Sequence, residues 1–332
     1  MKISIRTSRR IEDARNILVR GTNWIGDVIM TLPAMAAIRR AFPGARISVL
    51  AKPWVADIFS LCSDVDEVIL YRSPGVHAGV GGILRLAGEL REKKFDAAIL
   101  LQNAIEAAII SFLAGIPVRA GYNSDGRGPL LTHSVKRTRA VRRIHQVDYY
   151  LEMVKTLGCV DGSRELHLTL TRADQNRTDE ILRSYGIDPD AFLVGIAPGA
   201  TFGAAKKWFP DRFAAVAGRL TDEFSRVLLF GSAGDRESTE GVARYARHTL
   251  TDLAGMTTLR EAISLISRCR LFISNDSGLM HVAGALDVPT VAVFGSTNPV
   301  TTSPLGKNSI VVHKDLACSP CLKTTCPTDF RC

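Results

Sequence analysis

The stretch Ile273–Pro299, ISNDSGLMHVAGALDVPTVAVFGSTNP, decides the fold. It opens on the end of an apolar run, 270–274 (RLFIS), short and rich in branched and aromatic residues, as buried strands are. Asp276-Ser277-Gly278 breaks the run and starts an apolar helix over 277–286. A second apolar strand, 289–294 (PTVAVF), leads into the loop Gly295-Ser296-Thr297-Asn298-Pro299. Strand, helix and strand in succession are the crossover unit of a parallel sheet.

The same alternation extends in both directions. Upstream lie strand 192–197 (FLVGIA), helix 210–223, strand 226–230 (RVLLF) and helix 235–248. Nearer the N-terminus, strands are expected at 16–20, 46–51, 68–71, 97–101 and 117–120, with helices at 26–41, 83–92 and 104–114. The fold class is therefore α/β, parallel sheets with helices on both faces. At 332 residues the chain exceeds one ordinary core and suits two domains. The polar stretch 157–189, which hosts a connecting helix, holds the boundary and divides the chain into 1–160 and 161–332. In open sheets of this kind ligands bind beyond the carboxyl ends of the strands, and every Gly-rich loop here follows a strand.

Composition narrows the class. No apolar run approaches the ~20 residues of a membrane span. The N-terminus is basic with no apolar stretch before Ile17, so no signal peptide is read and a cytoplasmic location is expected. The formal charge is +9, which fits simple solubility or an anionic partner such as a nucleotide, a nucleic acid or a lipid surface. Its distribution is uneven: Arg119, Arg127, Lys136, Arg137, Arg139, Arg142 and Arg143 crowd one segment against Asp125 alone. Cys62, Cys159 and Cys269 read as inert core thiols, whereas Cys318, Cys321, Cys326 and Cys332 cluster near Cys332. Their spacing allows a structural tetrathiolate metal site or a reduced, packed tail.

Four loops carry candidate chemistry. In RGTNWIGDVIMTLP, Arg20–Pro33, Asp27 is either a helix-start acid or a general base able to take a proton from an attacking hydroxyl. The loop lacks the G-x-G-x-x-G spacing of a dinucleotide fold. In APGATFGAAKKWFP, Ala197–Pro210, Thr201, Lys206 and Lys207 precede a helix and suit a diphosphate, while Trp208 reads as a packing residue. In FGSAGDRE, Phe230–Glu237, Asp235 or Glu237 could accept from ribose hydroxyls or stabilise a helix start. In the opening stretch, Asp276, Ser277 and Gly278 present free amides and a hydroxyl, with His281 one turn on.

Taken in order, GTNWIGDVIMTLPAM, APGATFGAAKKW, SNDSGLMHVAGAL and FGSTNP resemble glycosyltransferase family 9, the ADP-heptose:lipopolysaccharide heptosyltransferases. The ending CSPCLKTTCP is similar to the branch that adds the second heptose. The resemblance spans Ile17 to Cys332, and implies a GT-B type fold of two Rossmann-like domains facing across a cleft. The N-terminal domain would bind the acceptor and the C-terminal domain the ADP-sugar. The implied reaction is inverting and metal-independent, needs no cofactor, and moves L-glycero-D-manno-heptose from ADP-heptose, the donor substrate, to the heptosyl-Kdo inner core of lipopolysaccharide. Family roles fall on Asp27 as catalytic base, and on Thr201, Lys206, Asp235, Asp276, Ser277, Gly278 and His281 at the donor. The acceptor would meet Asn23, Trp24, Arg119, Arg142 and Arg143, at the cytosolic face of the inner membrane. Two rival readings stand beside this one: addition of the first heptose to Kdo-lipid A, and a nucleic-acid-binding protein using the basic 119–143 segment. Against the second, that segment lacks the interleaved aromatics of single-strand binders.

Overall fold

The computed structural model describes residues 11–159, 162–221 and 225–332. The chain divides into two compact units, Met1–Arg164 and Glu165–Cys332. The boundary expected at 160/161 and the last residues of the expected helix 210–223 lie outside the described residues.

The first unit runs β1 (Asn16–Arg20), α1 (Ile25–Ala41), β2 (Arg46–Ala51), α2 (Ala56–Ser60), β3 (Glu67–Leu70), α3 (Gly79–Glu92), β4 (Ala97–Leu100), α4 (Ile105–Leu113), β5 (Val118–Tyr122), β6 (His133–Val135) and α5 (Gln146–Thr156). Its six strands pair in the order β3-β2-β1-β4-β5-β6, and each pairing is parallel. Leu18, Leu50, Leu86, Leu90, Leu100 and Ile110 fill one core beneath the sheet. A fully buried Leu or Ile stabilises by about 1.5–3 kcal/mol, so strands buried on both faces need the near-continuous apolar runs seen in the sequence. Helix α1 is buried from Val28 to Met35 because α5 packs against it.

The second unit repeats the design: α6 (Arg172–Ser184), β7 (Phe192–Ala197), α7 (Pro210–Leu220), β8 (Ser225–Leu229), α8 (Arg236–Tyr245), β9 (Thr251–Asp252), α9 (Leu259–Ser267), β10 (Cys269–Asn275), α10 (Gly278–Ala285), β11 (Thr290–Phe294), α11 (Pro299–Thr302) and β12 (Ser309–His313). The order is β12-β11-β10-β7-β8-β9, the same winding as in the first unit. Val194, Ile196, Phe213, Leu229 and Val242 form its core. Strand order therefore reverses between β1 and β4 in one unit and between β7 and β10 in the other, and such switch points are where open sheets bind ligands.

Two ion pairs fasten α6 to α9, Arg177 with Glu261 and, more buried, Arg260 with Asp174. Arg260 donates to both oxygens of Asp174, Nε to Oδ1 at 2.6 Å and a terminal nitrogen to Oδ2 at 2.9 Å. Asp174 also accepts from the Thr171 amide and hydroxyl. Those bonds, Arg260 foremost, hold the Asp174 carboxyl well below its ordinary 3.8. A carboxyl depressed in the fold adds stability above its unfolded pKa, and that stability fades as pH falls through the folded value. Asp174→Asn is expected to cost about 1–3 kcal/mol at neutral pH, and less at pH 3. Urea unfolding at the two pH values checks both the cost and its shrinkage.

Candidate functional site

At the β1 edge of the first unit, Asp27 occupies the first turn of α1. The N-cap position belongs to Trp24, and Asp27 is the third residue of the helix. Behind it Tyr150 of α5 is buried, and its hydroxyl is pushed well above 10 by that burial and by the charge of Asp27. Arg20, at the strand end, is buried and donates to the Leu50 carbonyl at 3.2 Å and to Asn23 Oδ1 at 2.9 Å. The Asn23 carbonyl in turn accepts from Trp54 Nε1 at 2.8 Å. Lys52 lies beside them, its Nζ 2.7 Å from the Ser73 carbonyl and 3.6 Å from the centre of the Tyr71 ring. Burial and the neighbouring Arg20 charge lower the Lys52 ammonium. Trp24 and Trp54 remain 63% and 50% exposed, unusual for indoles, which normally bury most of their surface. Glu106 adds a second carboxylate beside Arg20, Lys52 and Tyr71, so the edge offers two carboxylates, two cations and two open aromatic faces, of which the sequence indicated only Asp27 and Trp24, with Asn23 between the cations and Trp54.

The basic segment is less uniform than its sequence. Arg119 turns back to the start of its own strand, donating to the Ile116 and Leu130 carbonyls, at the edge opposite the strands' carboxyl ends. Arg127 is wholly buried and donates to the Tyr122 and Gln102 carbonyls. Both guanidiniums replace missing backbone partners and are spent inside the unit, so Arg119 is corrected from acceptor contact to structural residue. Arg142 and Arg143 stay exposed, as do Lys136, Arg137 and Arg139.

In the second unit the predicted donor residues gather at the β7/β10 switch point. Lys206 Nζ lies 2.7 Å from Asp276 Oδ2 and donates to the Asp276 carbonyl at 3.3 Å. The close approach to Oδ2 is a charge contact without hydrogen-bond alignment, since that buried oxygen has no aligned donor. The ammonium is therefore held near the loop with donors to spare. Lys207 instead donates to Ser238 of α8 at 2.9 Å. Asn275 ties the loops together: its amide donates to the Pro198 carbonyl and its Oδ1 accepts from the Trp208 amide. Trp208 packs edge-on against Phe213, as expected of a packing residue. Ser277 is the N-cap of α10 and shares a hydroxyl contact with Ser274 at 2.9 Å, leaving the first-turn amides of α10 to a ligand. Gly278 follows it, Thr201 is exposed on the lysine loop, and His281 is buried on α10.

Asp235 needs correction. Its Oδ2 accepts from the Ser232 amide and hydroxyl, a capping box that fixes the turn before α8. Its Oδ1 points at Gly199, where a Cβ would come within 2.2 Å of it. The carboxylate is a cap and a wall of the Pro198-Gly199 turn, which only glycine permits. Among the described residues no group of three or more His, Cys, Asp or Glu is arranged to hold a metal ion. Cys326 Sγ accepts from the Phe330 amide at 3.4 Å, while Cys332 turns towards Gly295. The sequence also carries Asp-x-Asp spacings at 64–66 and 188–190; Asp66 binds Arg39 and the Ile47 amide, and Asp188 accepts from the Asp190 amide, so both serve local structure.

Buried side-chain atoms without protein partners cost free energy unless water or a ligand meets them. Among the described residues, Arg20 Nε, Thr22 Oγ1 and Gln102 Oε1 are such atoms at the β1/β4 edge. Ser296 Oγ and Thr297 Oγ1 are their counterparts in the loop after β11, while Asn16 Oδ1, Ser309 Oγ and His313 Nε2 lie away from the switch points. The carboxyl-end edge of each sheet thus carries polar groups without protein partners.

The chain is 32% identical to lipopolysaccharide heptosyltransferase 2 of Salmonella typhimurium over 305 residues, 90% of this chain and 87% of the relative. It is equally 32% identical to the Escherichia coli lipopolysaccharide heptosyltransferase 2, with the same shares covered. The solved structure of E. coli ADP-heptose lps heptosyltransferase II is 30% identical, with a TM-score of 0.79 and 90% of each chain covered. The fold is accordingly the GT-B type. Residues 83–330 match Glycosyltransferase family 9 (heptosyltransferase). With loops, strand order and sequence in agreement, the chain belongs to glycosyltransferase family 9 and is a glycosyltransferase of the heptosyltransferase kind.

Proposed function

We propose that this enzyme is a lipopolysaccharide heptosyltransferase 2, moving L-glycero-D-manno-heptose from ADP-heptose to the heptosyl-Kdo inner core. The first unit holds the acceptor and the second the ADP-sugar. Asp27 takes the proton of the acceptor hydroxyl as its oxygen attacks the anomeric carbon. The bond from that carbon to the β-phosphate oxygen breaks, the electron pair leaves with ADP, and the anomeric configuration inverts. Lys206 and the α10 amides behind Ser277 receive the charge that builds on the leaving diphosphate, the type of preorganised stabilisation that dominates many transfer reactions. Neither a resident metal nor a cofactor is required under this reading, and nucleic acid is no partner.

The observation that carries the reading is the donor edge. It brings together a lysine held 2.7 Å from Asp276, a helix start that no side chain caps, and the buried hydroxyls of Ser296 and Thr297, which have no protein partner. The relatives named heptosyltransferase 2 supply the sugar and the core acceptor. A transfer assay offering ADP-heptose, UDP-sugars and GDP-sugars tests the donor. Offering Kdo-lipid A with and without its first heptose tests the acceptor: transfer to the acceptor lacking heptose would reassign the enzyme to the first step.

Among the described residues no helix is long and apolar enough to cross a membrane. Contact with the cytosolic face of the inner membrane falls instead to the exposed cations at 136–143, which suit anionic lipid phosphates. Replacing Arg142 and Arg143 together by Ala is expected to raise the acceptor Michaelis constant by roughly three- to tenfold, about 1 kcal/mol per charge near the surface at most. ADP affinity should not change. Steady-state kinetics with each substrate varied in turn checks the split, and a defect confined to the donor would reverse the assignment of the units.

A further inference from the structure

We infer that the cysteine-rich segment 316–332 is a strap that positions two loops of the donor edge; this rests on the donor site proposed above. The segment has no helix or strand among its described residues, yet it is tied down at three places. The Thr324 carbonyl accepts from the Ala205 amide at 3.0 Å, inside the lysine loop. Ser319 Oγ donates to the Gly295 carbonyl at 2.7 Å, and the Leu322 amide donates to the Ser296 carbonyl at 2.7 Å. Phe330 and Cys332 then close over the same small cavity that Lys206 and Gly295 line.

These bonds go to backbone groups that the sheet does not supply with partners. Gly203, at φ +148°, lets the lysine loop run beneath the strap: a Cβ there would come within 2.3 Å of the Thr324 oxygen. The loop bearing Lys206 and the loop bearing Ser296 and Thr297 belong to different strand ends. One segment bonded to both fixes the spacing between the ammonium and the two unpartnered hydroxyls, which a diphosphate would bridge. None of the residues that form the unit's apolar core clusters comes from the strap, so its contribution is to geometry more than to folding. Sub-ångström placement of such groups decides how much binding energy they return. Thr324, Ser319 and Leu322 are thus positioning residues, acting through Lys206 and the Ser296-Thr297 loop.

The test compares the full chain with one ending at Asp315. Thermal unfolding should remain cooperative, while ADP affinity by calorimetry falls about tenfold or more, the equivalent of one or two lost hydrogen bonds. The Michaelis constant for the acceptor should be unchanged. A folded shortened chain that binds ADP as well as the full one overturns the strap. Should the shortened chain not fold, Ser319→Ala and Ser319→Thr decide in the full chain: weaker ADP binding in the first and recovery in the second support it, and equal affinities in all three overturn it. Amide hydrogen exchange separates this proposal from the donor assignment. Ala205 should be protected in the full chain and exchange much faster once Ser319→Ala or the shortening loosens the strap, whether or not ADP is the ligand. Failure of the full chain to bind ADP would sink the donor assignment; unchanged Ala205 exchange would sink the strap.

Discussion

Asp27→Asn should lower turnover by roughly 10²–10⁴-fold, the range for loss of a positioned general base, while ADP affinity and thermal stability stay near those of the unaltered enzyme. The asparagine keeps the shape and the polar contact of the side chain but cannot take a proton. Two features of the first unit support so large an effect. Asp27 stands in the first turn of α1, just beyond the carboxyl end of β1 at the switch point of its sheet. The carboxylate also stands beside the buried Tyr150, where its charge raises the phenol. A dipole contribution from an acid at this position is worth only about 0.3–1 kcal/mol, and its loss would appear in stability and not in turnover. Quantifying turnover at saturating donor and acceptor, with urea unfolding alongside, therefore separates the two roles. A variant that turns over at the original rate but unfolds more easily would make Asp27 a helix-start acid.

Much of the architecture was legible because parallel strands buried on both faces need uninterrupted apolar runs. The runs 192–197 and 289–294 give β7 and β11 almost residue for residue. Three short strands escaped. β12 alternates between partly buried and exposed positions at the edge of its sheet, β9 is two residues long and β6 three, too little for periodicity to register. α9 could have been found, since Thr258 and Glu261 form a capping box readable from the sequence. The same signal, Ser232 and Asp235, is the capping box that fixes the turn before α8. At the candidate site, residue type singled out Asp27, Lys206 and the Asp276-Ser277-Gly278 junction. It could not reveal Lys52 or Trp54, which reach the β1 edge from the loop after β2. Nor could charge counting tell that Arg119 and Arg127 face inward to carbonyls while Arg142 and Arg143 face water. The cysteines drew attention to the chain's last residues for their thiols, whereas their neighbours' backbone groups and the Ser319 hydroxyl make the bonds to the donor loops.

The second large effect is expected at Lys206, and it has a part that appears without substrate. Lys206→Ala removes a charge-assisted contact to the diphosphate, so ADP affinity should fall by roughly 30- to 1000-fold, about 2–4 kcal/mol. It also strips the counter-charge from Asp276, whose side chain is only 6% exposed. Breaking a buried pair from one side leaves an uncompensated charge, at about 3–5 kcal/mol when both partners are fully buried. Lys206 is 16% exposed, so a stability loss of about 2–3 kcal/mol, below that range, is expected here. Part of the lost affinity would then come from Asp276 itself, a bare carboxylate facing a phosphate. The double variant Lys206→Ala/Asp276→Asn resolves the two contributions: stability should return, because no lone charge remains, but ADP affinity should recover only in part. Lys207→Ala is the comparison, since its ammonium is engaged with Ser238 and its loss should cost less than tenfold in ADP binding, about 1 kcal/mol. Calorimetry with ADP and urea unfolding on all four proteins measures both quantities. Full recovery of ADP affinity in the double variant would mean that Lys206 serves only to neutralise Asp276, and the diphosphate would then rest on the α10 amides and the hydroxyls of Ser296 and Thr297.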